Sequence, residues 1–203
     1  MNGAGKSSIG GAAFRSFGGD YYNPDEAARQ LIAANPGLDS TEADVAAWQQ
    51  GVGLLKQAVA ERLDFANETT LGGNTIPRLL AEAAAQGVAI YVWYAGLSSP
   101  ELHIQRVRSR VRHGGHNVPE DAIRRRYERS RLNLIALLPL LAALRMYDNS
   151  VESDPADGAT PAPVLVLHTE RGKIFNPGDL PRAPDWAKPI VAAALKLTLE
   201  RYR

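Results

Sequence analysis

The sequence predicts an α/β fold in which helices flank a parallel β-sheet, and two observations support this prediction. Short apolar segments alternate along the chain with segments of helical periodicity, the order that is typical of a parallel three-layer sheet. One apolar segment, residues 88–97 (VAIYVWYAGL), is almost continuous, as expected for a strand that is buried on both faces. At 203 residues, the chain is long enough for one such domain with a substantial core.

The chain begins with most of a phosphate-binding loop. The pattern of such loops is G-x-x-x-x-G-K-[ST], and Gly5, Lys6 and Ser7 match its second half. In these loops backbone N–H groups and a helix N-terminus bind phosphate, the lysine reaches the β- and γ-phosphates, and the serine binds Mg²⁺. The sequence therefore predicts ATP and Mg²⁺ as ligands. The predicted nucleotide site comprises Gly3, Ala4, Gly5, Lys6, Ser7 and Ser8, with Ser7 as the metal ligand.

The first glycine of this pattern would fall before Met1, and the strand that usually feeds the loop would lie further upstream. In P-loop kinases this strand is central, so a sheet without it would contain a gap that is costly for packing. We therefore expect a P-loop kinase-like sheet whose first strand is missing from this chain. We also expect the natural polypeptide to extend upstream by about ten residues, one strand plus the first glycine.

The other elements follow from periodicity and from capping signals. Asn23 and Pro24 are typical of an N-cap and a first helical position, and Asp39 or Ser40 caps a longer helix. The predicted strands are 20–23, 63–70, 88–97 and 144–149, and the predicted helices are 5–16, 24–35, 40–59, 75–86, 100–113 and a helix that begins at Pro119.

The C-terminal quarter differs in composition from the rest. Residues 151–163 are polar and without periodicity, which predicts a linker. Residues 164–175 predict a hairpin around Arg171 and Gly172, and residues 185–202 a closing helix. We thus predict a core over 1–150, a linker over 151–163, and a hairpin and helix over 164–203 that pack on the core.

Composition excludes several classes of function. The net charge of +1 argues against a general nucleic-acid-binding protein. No apolar run reaches the length of a membrane span and no signal peptide is visible, so we expect a cytoplasmic protein that does not bind membranes. The absence of cysteine excludes disulfides and thiolate metal sites.

Arginine is concentrated in one segment. Nine arginines lie between residues 106 and 131, against three acidic residues. Because arginine binds phosphate through paired hydrogen bonds, such a segment in a chain with a phosphate loop suggests phosphate oxygens as its partner. The nine are Arg106, Arg108, Arg110, Arg112, Arg124, Arg125, Arg126, Arg129 and Arg131.

Four segments in this order resemble the zeta toxin family, in particular its chromosomal members. They are NGAGKSS (2–8), NPDEAA (23–28), FANETTLGG (65–73) and RHGGHNVPEDAIRRRYERS (112–130), the last followed by YDNS (147–150). The resemblance covers about residues 2–150 and implies a small-molecule kinase fold. The best-known toxins of the family phosphorylate UDP-N-acetylglucosamine on its 3′-hydroxyl, so the resemblance also implies a nucleotide-sugar substrate and an antitoxin as protein partner.

The resemblance assigns roles to residues beside two predicted strands. It makes Asp25 the catalytic base, a role that a carboxylate near a substrate hydroxyl can perform. A first-turn position that favours the helix dipole explains Asp25 about equally well from local sequence. Glu68, with Thr69 and Thr70, ends a predicted strand where open α/β sheets bind ligands. The resemblance implies that Glu68 holds the substrate sugar, and an exposed charge at a strand end is the structural alternative.

The arginine segment, about 106–131, resembles the lid of the family. Arg112 precedes a glycine hinge, and Arg125 and Arg129 share one helix face. These three are the candidates for neutralising charge on the transferred phosphoryl group. Arg126 is expected to point elsewhere, and the spacing of this lid differs from the toxin pattern.

Together these assignments predict an ATP-dependent phosphotransferase that acts on a hydroxyl of a small substrate, with UDP-N-acetylglucosamine implied by the resemblance. Two alternatives remain open. The first is a kinase of a different small metabolite. The second is a nucleotide-binding regulatory protein with an incomplete, inactive phosphate loop. Asp148 and Asn149 end a strand near this site, where nucleotide contact and strand termination explain them equally well.

Overall fold

The computed structural model describes residues 2–6, 21–112, 117–151 and 162–201. The chain forms two compact units, one of residues 1–6 and 70–203 and the other of residues 7–69. Several predictions fall outside the described residues: Ser7 and Ser8, most of the helix over 5–16, the glycine hinge of the lid and most of the linker over 151–163.

The smaller unit contains helices α1 (Pro24–Ala34) and α2 (Ser40–Glu61) and strands β1 (Tyr21–Tyr22) and β2 (Ala66–Asn67). The N-cap prediction for α1 is confirmed, because Asn23 Oδ1 accepts the N–H of Asp25 at 3.0 Å. The helices pack through small side chains that let their backbones approach closely. These are Ala28, Ala43 and Ala47, with Leu31, Ile32 and Leu38 around them.

The two strands of the smaller unit pair in parallel, with Tyr21 opposite Ala66 and Tyr22 opposite Asn67. β2 is much shorter than the predicted strand over 63–70. Gly51 of α2 makes room for the ring of Tyr22, since a Cβ there would lie 2.7 Å from Tyr22 Cε1. The hydroxyl of Tyr22 then donates to the carbonyl of Ala47, so α2 covers β1 directly.

The larger unit contains a four-stranded sheet in the order β3 (Tyr91–Gly96), β4 (Ala143–Asp148), β5 (Val164–Glu170), β6 (Lys173–Ile174). β3 and β4 are parallel along their whole length. β5 pairs antiparallel with β4, and β6 pairs antiparallel with β5. Parallel pairing, which the sequence predicts, occurs between β1 and β2 and between β3 and β4. Among the described residues these pairs lie in two sheets and not in the single predicted one, and the C-terminal hairpin that joins β4 makes the larger sheet mixed.

The hairpin turn lies where the sequence predicts it. Arg171 has a φ of 45° and Gly172 a φ of 77°, the left-handed pair that suits a two-residue hairpin turn. Arg171 N–H donates to the carbonyl of Ala142 at 2.8 Å, which fixes the turn against the start of β4.

Within its described residues, the larger unit contains the α-helices α3 (Thr75–Ala85), α4 (Pro100–Arg112), α5 (Glu120–Leu137) and α6 (Lys188–Glu200). Gly87, with a φ of 79°, follows α3 as predicted. α5 packs against α3, α4 and α6. Large side chains that are fully buried form the core: Leu97, Leu134, Leu144, Met146, Leu167 and Ile190.

The prediction that 88–97 is buried on both faces holds only for the second half of β3. Tyr91 is 67 % exposed, whereas Tyr94 and Ala95 are buried. Within the described part of the chain, no helix combines the length and apolar character needed to span a membrane.

Candidate functional site

The described part of the predicted phosphate loop, residues 2–6, contacts the segment that follows β4. Asn149 donates from Nδ2 to the carbonyl of Ala4 at 3.1 Å. The backbone N–H of Asn149 donates to the carbonyl of Gly96, the last residue of β3, at 3.0 Å. The loop therefore lies at the carboxyl ends of two parallel strands, where open α/β sheets bind ligands. Asn149 holds the loop as well as ending the strand.

Two glycines give the loop its shape. Gly3 has a φ of 69° and Gly5 a φ of 76°, a left-handed conformation that glycine adopts without strain. A Cβ on Gly3 would lie 3.2 Å from the carbonyl oxygen of His103 and 3.3 Å from Arg106 Cβ. Gly3 thus combines a positive φ with close contact to α4, and Ala4 beside it is completely buried.

His103 of α4 is completely buried and contacts the loop directly. Its Nδ1 lies 2.6 Å from the carbonyl oxygen of Asn2, and because a carbonyl only accepts hydrogen bonds, Nδ1 carries the proton. The ring meets Tyr127 of α5 edge-on, with 5.8 Å between ring centroids. Burial lowers the pKa of His103 from 6.5 to about 4, against the opposing effect of the bond to Asn2. His103 is therefore neutral at physiological pH.

This shift predicts a loss of stability in mild acid. Above pH 6.5 His103 is neutral in the folded and in the unfolded protein. Between pH 6.5 and 4 it binds a proton in the unfolded chain but stays neutral in the folded one. Each pH unit in that window lowers the free energy of unfolding by about 1.4 kcal/mol, about 3 kcal/mol in all. Urea unfolding at pH 7.5, 5.5 and 4.5 measures this loss, and His103→Asn should lose correspondingly less. Equal losses in both proteins would contradict the assignment to His103.

Arg126 of the lid segment hydrogen-bonds to the loop, although no role was predicted for it. Arg126 donates from Nη1 to Asn2 Oδ1 at 3.0 Å. Its side chain lies over Gly72, where a Cβ would be 2.7 Å from Arg126 Cγ. The expectation that Arg126 points elsewhere was wrong. The apolar pattern of α5 indicates an inward position for Arg126, because this residue borders the face on which Ile123 and Tyr127 are buried.

The three predicted lid arginines lie elsewhere on the surface. Arg125 is exposed and forms an ion pair with Asp121 one turn earlier, and Arg129 is also exposed on α5. Arg112, at the end of α4, lines an open cavity of about 780 Å³ between α4 and α5. Another ion pair, between Arg108 and Glu120, borders the same cavity.

In the smaller unit, Asp25 and Glu68 follow two paired strands. Because β1 and β2 are parallel, both residues lie at the carboxyl edge of that sheet. Asp25 is half-buried in the first turn of α1. Glu68 Oε2 accepts a hydrogen bond of 2.6 Å from the Tyr21 hydroxyl, and Glu68 N–H donates to the carbonyl of Tyr22 at 2.8 Å. Glu68 is therefore held in place by β1.

The other predicted site residues that the structure describes are also partly accessible. Lys6 of the predicted phosphate loop is half-buried, as are Thr69 and Thr70 after Glu68. Thr70 Oγ1 accepts the N–H of Gly72 at 3.4 Å.

Comparison with known proteins finds a bacterial relative and a solved structure of similar fold. No family model matches the chain. An uncharacterized protein of Haemophilus influenzae is 33% identical over 130 residues, which cover 62% of this chain and 86% of that protein. A solved chain from the PezAT chromosomal toxin–antitoxin system of Streptococcus pneumoniae has a TM-score of 0.55 and 15% identity, over 98% of this chain and 83% of that chain. At this identity the second similarity concerns the fold, a mixed α/β arrangement with parallel strand pairs.

Proposed function

We propose, from the premise that this chain belongs to the same family as the uncharacterized Haemophilus influenzae protein, that it is an ATP-dependent phosphotransferase of the zeta toxin type. The observation that carries the proposal is the phosphate loop. Gly3 and Gly5 are left-handed, and the loop lies at the carboxyl ends of β3 and β4. The fold shared with a chain of a toxin–antitoxin system supports the same class.

The residues present fit a magnesium–nucleotide complex. A loop with two left-handed glycines can direct backbone N–H groups to one side, as phosphate sites require. Lys6 would bind the β- and γ-phosphates and Ser7 would bind Mg²⁺. When bound, ATP would supply the γ-phosphoryl group, and Mg²⁺ would neutralise part of the negative charge on the phosphates.

The acceptor side of the reaction is proposed for the edge formed by β1 and β2. Asp25 would accept the proton of a substrate hydroxyl while the hydroxyl oxygen bonds to the transferred phosphoryl group, with ADP as the leaving group. Glu68, fixed by Tyr21 at 2.6 Å, is suited to accept hydrogen bonds from sugar hydroxyls. UDP-N-acetylglucosamine is the proposed acceptor because of the resemblance to the zeta toxins.

Lid arginines are proposed to neutralise charge on the transferred group. Arg112, Arg125 and Arg129 are the candidates from the sequence, and Arg126 joins them because it already contacts Asn2 of the loop at 3.0 Å. An antitoxin is the proposed protein partner, supported by the origin of the solved chain in a toxin–antitoxin system.

Turnover of ATP with and without UDP-N-acetylglucosamine tests this proposal, with the phosphorylated sugar detected by mass spectrometry. We expect sugar-dependent ADP formation that Lys6→Ala abolishes. Lys56→Ala is the matched control, because Lys56 is exposed on α2 and its loss should leave turnover unchanged.

Other results would overturn parts of the proposal. Failure to bind ATP would refute the nucleotide site. ATP binding with turnover only on another hydroxyl compound would refute the sugar assignment. ATP binding without turnover on any acceptor would favour a nucleotide-binding regulatory protein.

A further inference from the structure

We infer that His103 and Asn149 are positioning residues that set the backbone of the phosphate loop and thereby aim the N–H groups of Gly3 and Gly5 at a phosphate ligand. The ligand part of this inference rests on the proposed function, since it concerns the loop assigned to ATP. The contacts that carry it all lie within the larger unit.

Two carbonyls of the loop accept hydrogen bonds from side chains outside it. The carbonyl of Asn2 accepts from His103 Nδ1 at 2.6 Å, and the carbonyl of Ala4 accepts from Asn149 Nδ2 at 3.1 Å. In a planar trans peptide the C=O and the N–H of the next residue point in opposite directions. Holding these two carbonyls against the protein therefore turns the next N–H groups, those of Gly3 and Gly5, to the other side.

Both donor side chains are anchored by their surroundings. His103 lies within α4 and is completely buried. Asn149 directly follows β4, and its own N–H is bonded to Gly96 of β3 at 3.0 Å. Donors on packed helices and strands fix geometry better than donors on loops.

Histidine at position 103 has a cost that its bond to the loop explains. His103 Nε2 is buried and, among the described residues, has no hydrogen-bond partner. An unpartnered buried polar atom destabilises the fold, and an apolar side chain of similar size would avoid that loss. The bond from Nδ1 to Asn2 is the contact that an apolar residue could not make.

Asn2 of the loop is also held by a residue of α5. Arg126 donates to Asn2 Oδ1 at 3.0 Å, and Tyr127 contacts the His103 ring edge-on. Asn2 is therefore bound through its carbonyl by α4 and through its side chain by α5. Asn2 thus connects the loop to both arginine-rich helices.

The test uses variants matched in size or chemistry. His103→Asn keeps an N–H donor close to the position of Nδ1, whereas His103→Leu removes it. Asn149→Asp has the same shape but replaces the donor to Ala4 by an acceptor. Asn176→Asp is the control, because it removes a comparable amide-to-carbonyl bond, of 3.3 Å to Val166, in the C-terminal hairpin.

ATP affinity is measured by calorimetry under conditions in which urea unfolding shows each variant to be folded. His103→Leu and Asn149→Asp should each weaken ATP binding about 10-fold, the effect of losing one hydrogen bond that orders the site. His103→Asn should stay within about threefold of the unsubstituted protein, and Asn176→Asp should leave affinity unchanged. Unchanged affinity in folded His103→Leu, or equal losses in His103→Leu and His103→Asn, would overturn the inference.

A second measurement needs no nucleotide. The backbone ¹⁵N–¹H resonances of Gly3 and Gly5 should shift in His103→Leu and Asn149→Asp and stay in place in Asn176→Asp. If these resonances shift as expected but ATP does not bind, the positioning role stands and the proposed function fails. If ATP binds and the glycine resonances do not move in either variant, the positioning role is refuted and the proposed function stands.

Discussion

Replacing Asp25 by asparagine should lower phosphoryl transfer about 10²–10⁴-fold, the usual effect of removing a general base. Asparagine has nearly the same shape but cannot accept the hydroxyl proton. Position 25 lies in the first turn of α1, two residues after the N-cap Asn23. Asparagine is tolerated there, so the fold should persist. ATP binding should stay nearly unchanged, because the base acts on the acceptor. Steady-state kcat at saturating substrate and a separate ATP titration measure the two effects.

Glu26→Gln is the control for this prediction. Glu26 is the next residue in the same helical turn and is exposed. If Asp25 only favours the helix dipole, both substitutions should cost about 0.3–1 kcal/mol of stability and neither should change kcat. A loss of ATP affinity as large as the loss of kcat would make Asp25 a structural or metal-linked residue.

Trp186→Ala should lower the free energy of unfolding by about 3–5 kcal/mol, as is usual for truncating a buried tryptophan. Trp186 is 4 % exposed and its ring covers Gly96, where a Cβ would lie 2.2 Å from Cη2. Its Nε1 donates to Asp148 Oδ1 at 3.2 Å. The substitution therefore removes packing and a hydrogen bond at the ends of β3 and β4. Urea unfolding followed by circular dichroism measures the change.

Two further variants sharpen this measurement. Leu199→Ala on α6 removes a side chain that is 65 % exposed and should change stability by at most about 0.5 kcal/mol. Trp186→Phe keeps most of the packing but loses the hydrogen bond to Asp148. We expect that lost bond to lower the free energy of unfolding by about 1 kcal/mol. A Trp186→Ala protein as stable as Leu199→Ala would show that the C-terminal segment does not stabilise the sheet.

Features that depend on local chemistry could be predicted from the sequence. The start of α1 follows from Asn23 and Pro24, and the hairpin turn from Arg171 and Gly172. A side chain that caps its own helix, or a glycine with a positive φ, acts within a few residues. Nothing elsewhere in the chain is needed to choose that structure.

Features that depend on pairing between distant segments could not be predicted. The antiparallel addition of β5 to β4 is set by a register between residues far apart in the chain. The length of β2 depends on how far β1 extends beside it, which is two residues. Apolar patterning marks both segments as strands but does not say which edges meet.

The candidate site shows the same division. Glycine, lysine and serine spacing predicts a phosphate loop, yet His103, which bonds to the Asn2 carbonyl in it, lies 101 positions away. Arg125 and Arg126 differ by one position, which is about 100° around a helix. Which of the two faces the loop depends on how α5 is seated on its neighbours, so only the packed structure separates them.

The contact between Gly96 and Trp186 has a consequence for how this family diverges. The ring fills the volume that any side chain at position 96 would need, so the two positions are complementary in size. A mutation that adds a side chain at position 96 is tolerated only after the tryptophan has been exchanged for something smaller. In an alignment of related sequences, a glycine at 96 and a tryptophan at 186 should be gained and lost together.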